Sequence, residues 1–169
     1  MIHIQTDRLT LRQFDLSDAE FILELLNDPS FIQNIGDRNV RTLADAEKYL
    51  ENGAMASYVK NGFGLLAVTL TETGETLGMC GLIKRDALED VDIGYAFLPK
   101  FWSQGYAIES AQGVMKFAKE VITLKRVVAI VDPANAGSVR VLEKLGMKFE
   151  KMMKLSEDDI DLKLFGISL

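Results

Sequence analysis

The sequence predicts a single mixed α/β domain, an α+β arrangement in which helices cover both faces of a mostly antiparallel sheet. Three observations support this prediction. The 169 residues include no long linker-like stretch, so one hydrophobic core is expected over residues 1–169. Strand-like runs alternate with stretches of helical periodicity. The elements follow the order β-α-α-β-β-β-α-β-α-β-β, with two helices before most of the strands.

The first elements are a strand and a helix. Leu9–Arg12 alternates apolar and polar residues, as a strand does. Ser17–Glu20 has the pattern of a capping box, and the helix that it starts continues through Phe21 to Asn27. We expect this helix to end before Pro29, because proline disfavours helical backbone in the residue that precedes it.

A second helix and three strands follow. The helix is expected from an N-cap at Thr42 to about Lys60. Phe63–Leu70 and Thr76–Lys84 flank a short polar span that contains Gly74, which predicts an antiparallel hairpin. Val91–Leu98 is the next predicted strand, and Pro99 closes it.

The second half alternates helices and strands. Gly105 to Val121 has helical spacing, and the β-branched run Arg126–Val131 is typical of a strand that is covered on both faces. A further helix begins at Asn135 or Ala136 and ends at Gly146. Lys148–Met153 and Leu162–Ile167 are predicted as the two closing strands.

Composition excludes several classes of function. With one cysteine and one histidine, Cys80 and His3, the chain has neither a Cys/His zinc site nor an internal disulfide, and no metal is expected. The net charge of −6 argues against nucleic-acid binding and would weakly favour a cationic substrate. No apolar run is long enough to cross a bilayer, and Met1–Arg8 lacks the layout of a secretory signal, so a cytoplasmic protein is expected.

The junction around Gly105 is a candidate anion site. A predicted strand ends, a short loop turns, and a helix begins at a glycine that lets a ligand approach the backbone. The first turn of a helix offers unpaired N–H groups and the positive end of the helix dipole. Such a junction also occurs where a helix simply packs tightly. It is neither a Walker A loop nor a Rossmann fingerprint.

A second candidate segment begins directly after the strand that ends at Val131. Asn135 and Ser138 lie three residues apart near a helix start, where either could cap the helix. Their position after a buried strand also suits ligand binding, since ligands in such folds bind at the carboxyl ends of strands.

Three motifs together resemble the GNAT acetyltransferase superfamily. Trp102–Glu109 resembles its acetyl-CoA pyrophosphate loop, and Asn135–Ser138 followed by Glu143–Met147 is similar to a later segment of that family. Thr6–Arg12 together with Asp92–Tyr95 resembles the ribosomal-protein (RimJ/RimL-like) branch. The resemblance implies the GNAT fold: a six- to seven-stranded mixed sheet, splayed between the fourth and fifth predicted strands, Val91–Leu98 and Arg126–Val131.

The resemblance also implies acetyl-CoA as cosubstrate and assigns residues to it. Backbone groups of Ala96, Phe97 and Leu98 would pair with the pantetheine arm, and an N–H near Phe97 would stabilise the oxyanion. The pyrophosphate would be held by Gln104, Gly105, Tyr106 and Ala107. Asn135 and Ser138 would contact the arm, and Ser138 could protonate the departing thiolate.

The general base has two candidates, Asp92 on the central strand and Glu109 on the helix that follows Gly105. Each could equally be structural, Asp92 as an ion-paired carboxylate and Glu109 as a partner of the helix dipole. A water chain could replace both. The tyrosine that many GNAT enzymes use as general acid has no counterpart, because Leu142 and Leu145 occupy that region.

The resemblance predicts transfer of an acetyl group to a primary amine. A protein N-terminus is the first choice of acceptor, and a small-molecule amine such as a polyamine, amino acid or aminoglycoside is the second. A non-catalytic sensor that binds an acyl-CoA is an alternative of another class. Homodimer formation is left open by the sequence.

Overall fold

The computed structural model describes all residues from Met1 to Leu169 and contains one eight-stranded sheet in the order β1-β2-β3-β4-β5-β6-β8-β7. The strands are β1 His3–Gln5, β2 Leu9–Gln13, β3 Leu65–Leu70, β4 Thr76–Ile83, β5 Asp92–Phe97, β6 Arg126–Val131, β7 Lys148–Met153 and β8 Leu162–Ser168. Every neighbouring pair is antiparallel except β5 and β6. The predicted mixed, mostly antiparallel sheet is confirmed, and His3–Gln5 adds one edge strand to the predicted number.

Six α-helices accompany the sheet: α1 Ala19–Leu26, α2 Pro29–Asn34, α3 Leu43–Leu50, α4 Ala56–Asn61, α5 Tyr106–Glu120 and α6 Ala136–Lys144. The predicted helix from Thr42 to Lys60 is present, but it includes a π-helical stretch, Glu51–Met55, between α3 and α4. Thr42 caps it by accepting a hydrogen bond from the Asp45 N–H at 3.1 Å. No helix has both the length and the apolar character needed to cross a membrane.

The start of α1 differs from the prediction, and α2 is an additional helix. The capping box lies at Asp15 and Asp18 rather than at Ser17 and Glu20, with a 3-10 turn before α1. The first helix ends at Leu26, before Pro29 as predicted, and Pro29 then begins α2 with Asp28 as N-cap. Proline is tolerated at the first position of a helix, where its missing N–H is not needed.

The two faces of the sheet bury separate hydrophobic clusters, as strand alternation requires. On β3, Leu66 and Val68 join a cluster with residues of α5 and α6. Ala67, between them, joins a second cluster with residues of α1, α2 and α3. The prediction of helices on both faces is therefore confirmed.

The sheet splits between β5 and β6. Only Asp92 and Val128 pair across these two strands, whereas β6 and β8 pair along the full length of β6. Beyond Asp92 the strands diverge toward Phe97 and Val131, which confirms the predicted splay. The split leaves one strand edge of β5 without a partner strand at the centre of the molecule.

Candidate active site

A cleft of about 860 Å³ opens at this split. Residues from both sides of the sheet line it, since α2, α3 and the π-helical stretch contribute from one side and α6 from the other. Its lining includes Tyr49, Gly53, Arg85, Asp92, Tyr95, Asn135 and Ser138. A cleft of this size is sufficient for a small-molecule or peptide ligand.

Asp92 is the buried carboxylate of the cleft. Its side chain is only 1% exposed, and Oδ1 lies 3.1 Å from Nε of Arg85. Burial raises the pKa of Asp92 to about 6, while the charge and hydrogen bond of Arg85 act in the opposite direction. The carboxylate is therefore ionised at neutral pH and still able to accept a proton.

The unpaired edge of β5 presents the backbone of Tyr95 and Phe97. The Leu98 N–H donates to the Leu77 carbonyl on the β4 side at 3.1 Å, and strand alternation turns Ala96 the same way. Tyr95 and Phe97 consequently direct their N–H groups into the split. Of the three positions predicted to pair with the arm, only Phe97 faces the split; Ala96 and Leu98 are committed to β4.

The carbonyl of Phe97 is already occupied. The Trp102 indole Nε1 donates to it at 2.9 Å, and the Phe101 N–H donates to the Leu98 carbonyl at 2.9 Å. These two bonds fix the turn between β5 and α5. The N–H of Phe97 belongs to the preceding peptide unit, whose Ala96 carbonyl faces β4, so the pairing with β4 sets its direction into the split.

The predicted anion site at Gly105 has the required backbone. Gly105 has φ of +83°, a left-handed conformation that glycine adopts without strain, and it precedes α5. The first helical hydrogen bond runs from the Glu109 N–H to the Gly105 carbonyl at 3.1 Å. The amides of Tyr106, Ala107 and Ile108 therefore have no carbonyl partner in the helix.

Gln104 contributes to this site through its carbonyl, which accepts a hydrogen bond from Nη1 of Arg8 at 3.0 Å. The guanidinium of Arg8 also lies 4.5 Å from the centre of the Tyr106 ring. Arg8 thus fixes the loop before α5, while its charge is paired with Glu109. This role of Arg8 could not be predicted from the sequence, because its partners lie about a hundred positions away.

Glu109 does not line the cleft. Its carboxylate accepts hydrogen bonds from the Thr6 hydroxyl at 2.7 Å and the Arg8 N–H at 2.8 Å, and pairs with the Arg8 guanidinium. Burial favours the protonated form, but these bonds together lower the pKa of Glu109. The residue ties α5 to the segment before β2, so the prediction of Glu109 as a base is replaced by this structural role.

Asn135 and Ser138 lie together at the start of α6. Oδ1 of Asn135 accepts the Ser138 N–H at 3.2 Å, which is the capping alternative considered from the sequence. The Ser138 hydroxyl lies 2.6 Å from the Tyr95 hydroxyl across the split. Burial raises the pKa of Tyr95 to about 12, so both hydroxyls are neutral.

Arg85 and Tyr49 are site residues that the sequence did not reveal. Arg85 belongs to the polar connection between β4 and β5, and Tyr49 lies on α3. Neither belongs to a motif, and only the packing of α3 against this side of the sheet brings Tyr49 to the cleft. A polar connection that immediately precedes a strand with a central carboxylate was the one available signal for Arg85.

Free amides at a helix start, together with an open strand edge that carries a buried carboxylate, suit an N-acetyltransferase. A profile of the acetyltransferase (GNAT) domain matches residues 8–148. The chain belongs to this GNAT acetyltransferase family. The family assignment from the sequence motifs is thereby confirmed.

Relatives and solved structures agree with this assignment. The chain is 30% identical to the uncharacterized protein YkkB of Bacillus subtilis over 88% of this chain and 87% of that protein. It is 28% identical to the uncharacterized N-acetyltransferase YnaD of Bacillus subtilis over 90% and 86%. A structure of RimL, a ribosomal L7/L12 alpha-N-protein acetyltransferase in complex with coenzyme A, superposes with a TM-score of 0.87, 19% identity and coverage of 99% and 98%. At 19% identity, the similarity to RimL shows a shared fold only.

Proposed function

We propose that this enzyme transfers the acetyl group of acetyl-CoA to an α-amine, which attacks the thioester directly. The observation that carries the proposal is the split beside β5, where the free N–H of Phe97 and the carboxylate of Asp92 belong to the same strand. One group can stabilise a developing oxyanion, and the other can accept a proton.

The residues present fit acetyl-CoA. The amides of Tyr106 and Ala107, at the positive end of α5, suit the pyrophosphate, and Arg8 holds the loop that precedes them. The backbone of Tyr95 and Phe97 suits the amides of the pantetheine arm, as an added strand would. Bound acetyl-CoA supplies the thioester; the remaining chemistry belongs to side chains and backbone of this chain.

The N–H of Phe97 stabilises the oxyanion that forms when the amine nitrogen bonds to the thioester carbonyl carbon. A single preorganised backbone donor of this kind contributes about 3–4 kcal/mol to the transition state. The pairing of Ala96 with Met79 on β4 holds the peptide unit that carries this N–H, so the donor does not need to reorient during the reaction.

Asp92 accepts, through water, the proton that the attacking amine loses, because five residues of extended strand, about 16 Å, separate it from Phe97. An α-amine titrates near about 8 and a lysine amine near about 10.4, so an α-amine is closer to the pKa of about 6 at Asp92. The match favours an α-amine as acceptor. Arg85 keeps the carboxylate oriented and ionised.

The carbon–sulfur bond then breaks, and the departing thiolate requires a proton. The Ser138 hydroxyl lies at the split and is hydrogen bonded to the Tyr95 hydroxyl, which can return a proton to it. Ser138 is therefore the proposed donor to the thiolate, in place of the tyrosine that the sequence lacks.

A protein N-terminus is the proposed acceptor, with a small-molecule α-amine as the alternative outcome of the test. The likeness in fold to RimL supports this choice. The test measures thiol release from acetyl-CoA with N-terminal peptides, free amino acids, polyamines and aminoglycosides, and mass spectrometry locates the acetyl group. Acetylation of α-amines is expected. Tight acetyl-CoA binding without thiol release for any amine would contradict the proposal and indicate a sensor.

A further inference from the structure

We propose that the acceptor carries an anionic group, a carboxylate or phosphate, near its α-amine, and that Arg38 binds this group. The inference rests on the proposed function and adds the chemical class of the acceptor. It concerns the part of the cleft formed by α2, α3 and the residues that join them.

The charge of this wall is opposite to that of the whole chain. The protein has a net charge of −6, yet Arg38 and Lys48 line the cleft from this segment, and Lys60 of α4 lines it as well. Asp45 is the one carboxylate that the segment contributes, and its Oδ2 accepts the Arg41 N–H at 3.0 Å. Basic side chains therefore outnumber carboxylates on this wall, and an excess of one sign of charge attracts ligands of the other sign.

Arg38 has no carboxylate within 4 Å, unlike its neighbours in the chain. Asp37 pairs with Arg41 and accepts the Asn39 N–H at 2.8 Å, and these bonds shape the loop without using Arg38. Arg38 is exposed, lines the cleft and has no carboxylate partner, so it keeps an uncompensated charge and has donors for a carboxylate or phosphate besides those that it directs to the Tyr49 hydroxyl.

Tyr49 links Arg38 to the reacting centre. Burial raises the pKa of the Tyr49 hydroxyl, while the guanidinium groups of both Arg38 and Arg85 lie near enough to lower it. Arg85 in turn holds Asp92. Tyr49 is therefore close to both guanidinium groups, and Arg38, Tyr49 and Asp92 line the same cleft, so an acceptor anchored at Arg38 occupies the cleft that contains the base.

The proposed anion belongs to the acceptor rather than to the cosubstrate. The free amides of Tyr106 and Ala107 begin α5, which packs on the opposite face of the sheet from α3. There is also room for a substituted acceptor on the α3 side: Gly53 lines the cleft, and a Cβ at that position would meet no atom within 4 Å.

The test compares acceptors that differ by one charge. Serine and serinamide form one pair, and short peptides with Asp or Asn as second residue form the other, so free amino acids and protein N-termini are distinguished. In at least one pair, we expect kcat/KM of the wild type to be about 10- to 100-fold higher for the acidic member. Rising ionic strength should narrow this ratio.

Arg38→Gln should remove most of the difference in kcat/KM between the acidic and the neutral member of the pair. The KM for the acidic member should rise, and the kcat/KM for the neutral member should stay unchanged. Arg38→Lys should restore part of the difference, and Lys119→Gln, which removes an exposed charge on α5, should leave it intact. Equal rates for both members of both pairs in the wild type would overturn the inference and leave acetyl transfer established. A ratio that survives Arg38→Gln would also overturn it, whereas absence of transfer to any amine would contradict the proposed function itself.

Discussion

The carboxylate of Asp92 and the guanidinium of Arg85 form an ion pair with unequal exposure. The distance from Oδ1 to Nε is 3.1 Å, with 1% of the Asp92 side chain and 30% of the Arg85 side chain exposed. The Arg85 guanidinium is partly accessible to solvent, whereas the Asp92 carboxylate is not. The pair therefore keeps the buried carboxylate ionised and still able to accept a proton, and three consequences can be measured.

Asp92→Asn should lower kcat/KM for the acceptor by about 10²- to 10⁴-fold, because the amide cannot accept the proton of the attacking amine. The affinity for acetyl-CoA should stay within a factor of about three, since Asp92 lies away from the amides that begin α5. Asp90→Asn is the matched control, because Asp90 pairs with Arg126 and is 40% exposed. Steady-state kinetics measures kcat/KM for these variants, and calorimetric titration measures their affinity for acetyl-CoA. Full activity of Asp92→Asn would exclude Asp92 as the base.

The dependence of kcat/KM on pH should reflect the pKa of Asp92 and the effect of Arg85 on it. Calculated per unprotonated amine, kcat/KM should rise with pH up to about 6 and then level off, because the base must be ionised. Arg85→Gln removes a charge that lowers the pKa of Asp92, so the midpoint should move to higher pH. Arg126→Gln should not move it, as Arg126 pairs with Asp90 and Glu150. A midpoint that stays fixed in Arg85→Gln would show that another group controls the profile.

The buried base should also reduce stability. Because its pKa is raised from 3.8 to about 6 on folding, the native state binds more protons than the unfolded state between these values. The free energy of unfolding attributable to Asp92 therefore falls as pH rises through that window, by up to about 3 kcal/mol, and stays lower above it. In urea unfolding, the free energy of unfolding of Asp92→Asn relative to that of the wild type should increase from about pH 4 to pH 7. A pH-independent difference between the two proteins would contradict this linkage.

Some features of this site could be predicted from sequence because they are local. The strand that contains Asp92, the glycine before α5 and the Asn135–Ser138 helix start each depend on a few consecutive residues. Ala96 and Leu98 were assigned to the wrong side of β5, because the direction of each amide depends on the register with β4. That register is a tertiary property.

Other features depend on residues distant in the chain. Arg8 reaches α5 across about a hundred positions, and Tyr49 reaches the cleft only because α3 packs beside the split. Pro29 follows the end of α1 as predicted, but proline also begins helices, and the cap at Asp28 is the local signal for α2. The excess of basic side chains on the wall of the cleft formed by α2 and α3 likewise cannot be predicted from a net charge of −6.

Gly105→Val should weaken acetyl-CoA binding at least about tenfold. Its Cβ would lie 3.3 Å from Nη2 of Arg8, and its methyl groups would crowd the free amides at the start of α5. Gly74→Val is the matched control, because Gly74 has a similar φ of +77° in the hairpin turn and open space around it. The two variants share the backbone strain. Equal affinities in calorimetric titration would exclude the start of α5 as the pyrophosphate site.

A crystal structure of the protein with coenzyme A would show whether the start of α5 and the split beside β5 bind the cosubstrate. We expect diphosphate oxygens within hydrogen-bonding distance of the Tyr106 and Ala107 amides. We also expect the pantetheine arm between β5 and β6, with its thiol near the Phe97 N–H. A nucleotide bound elsewhere, or an arm that does not enter the split, would contradict the proposed binding site.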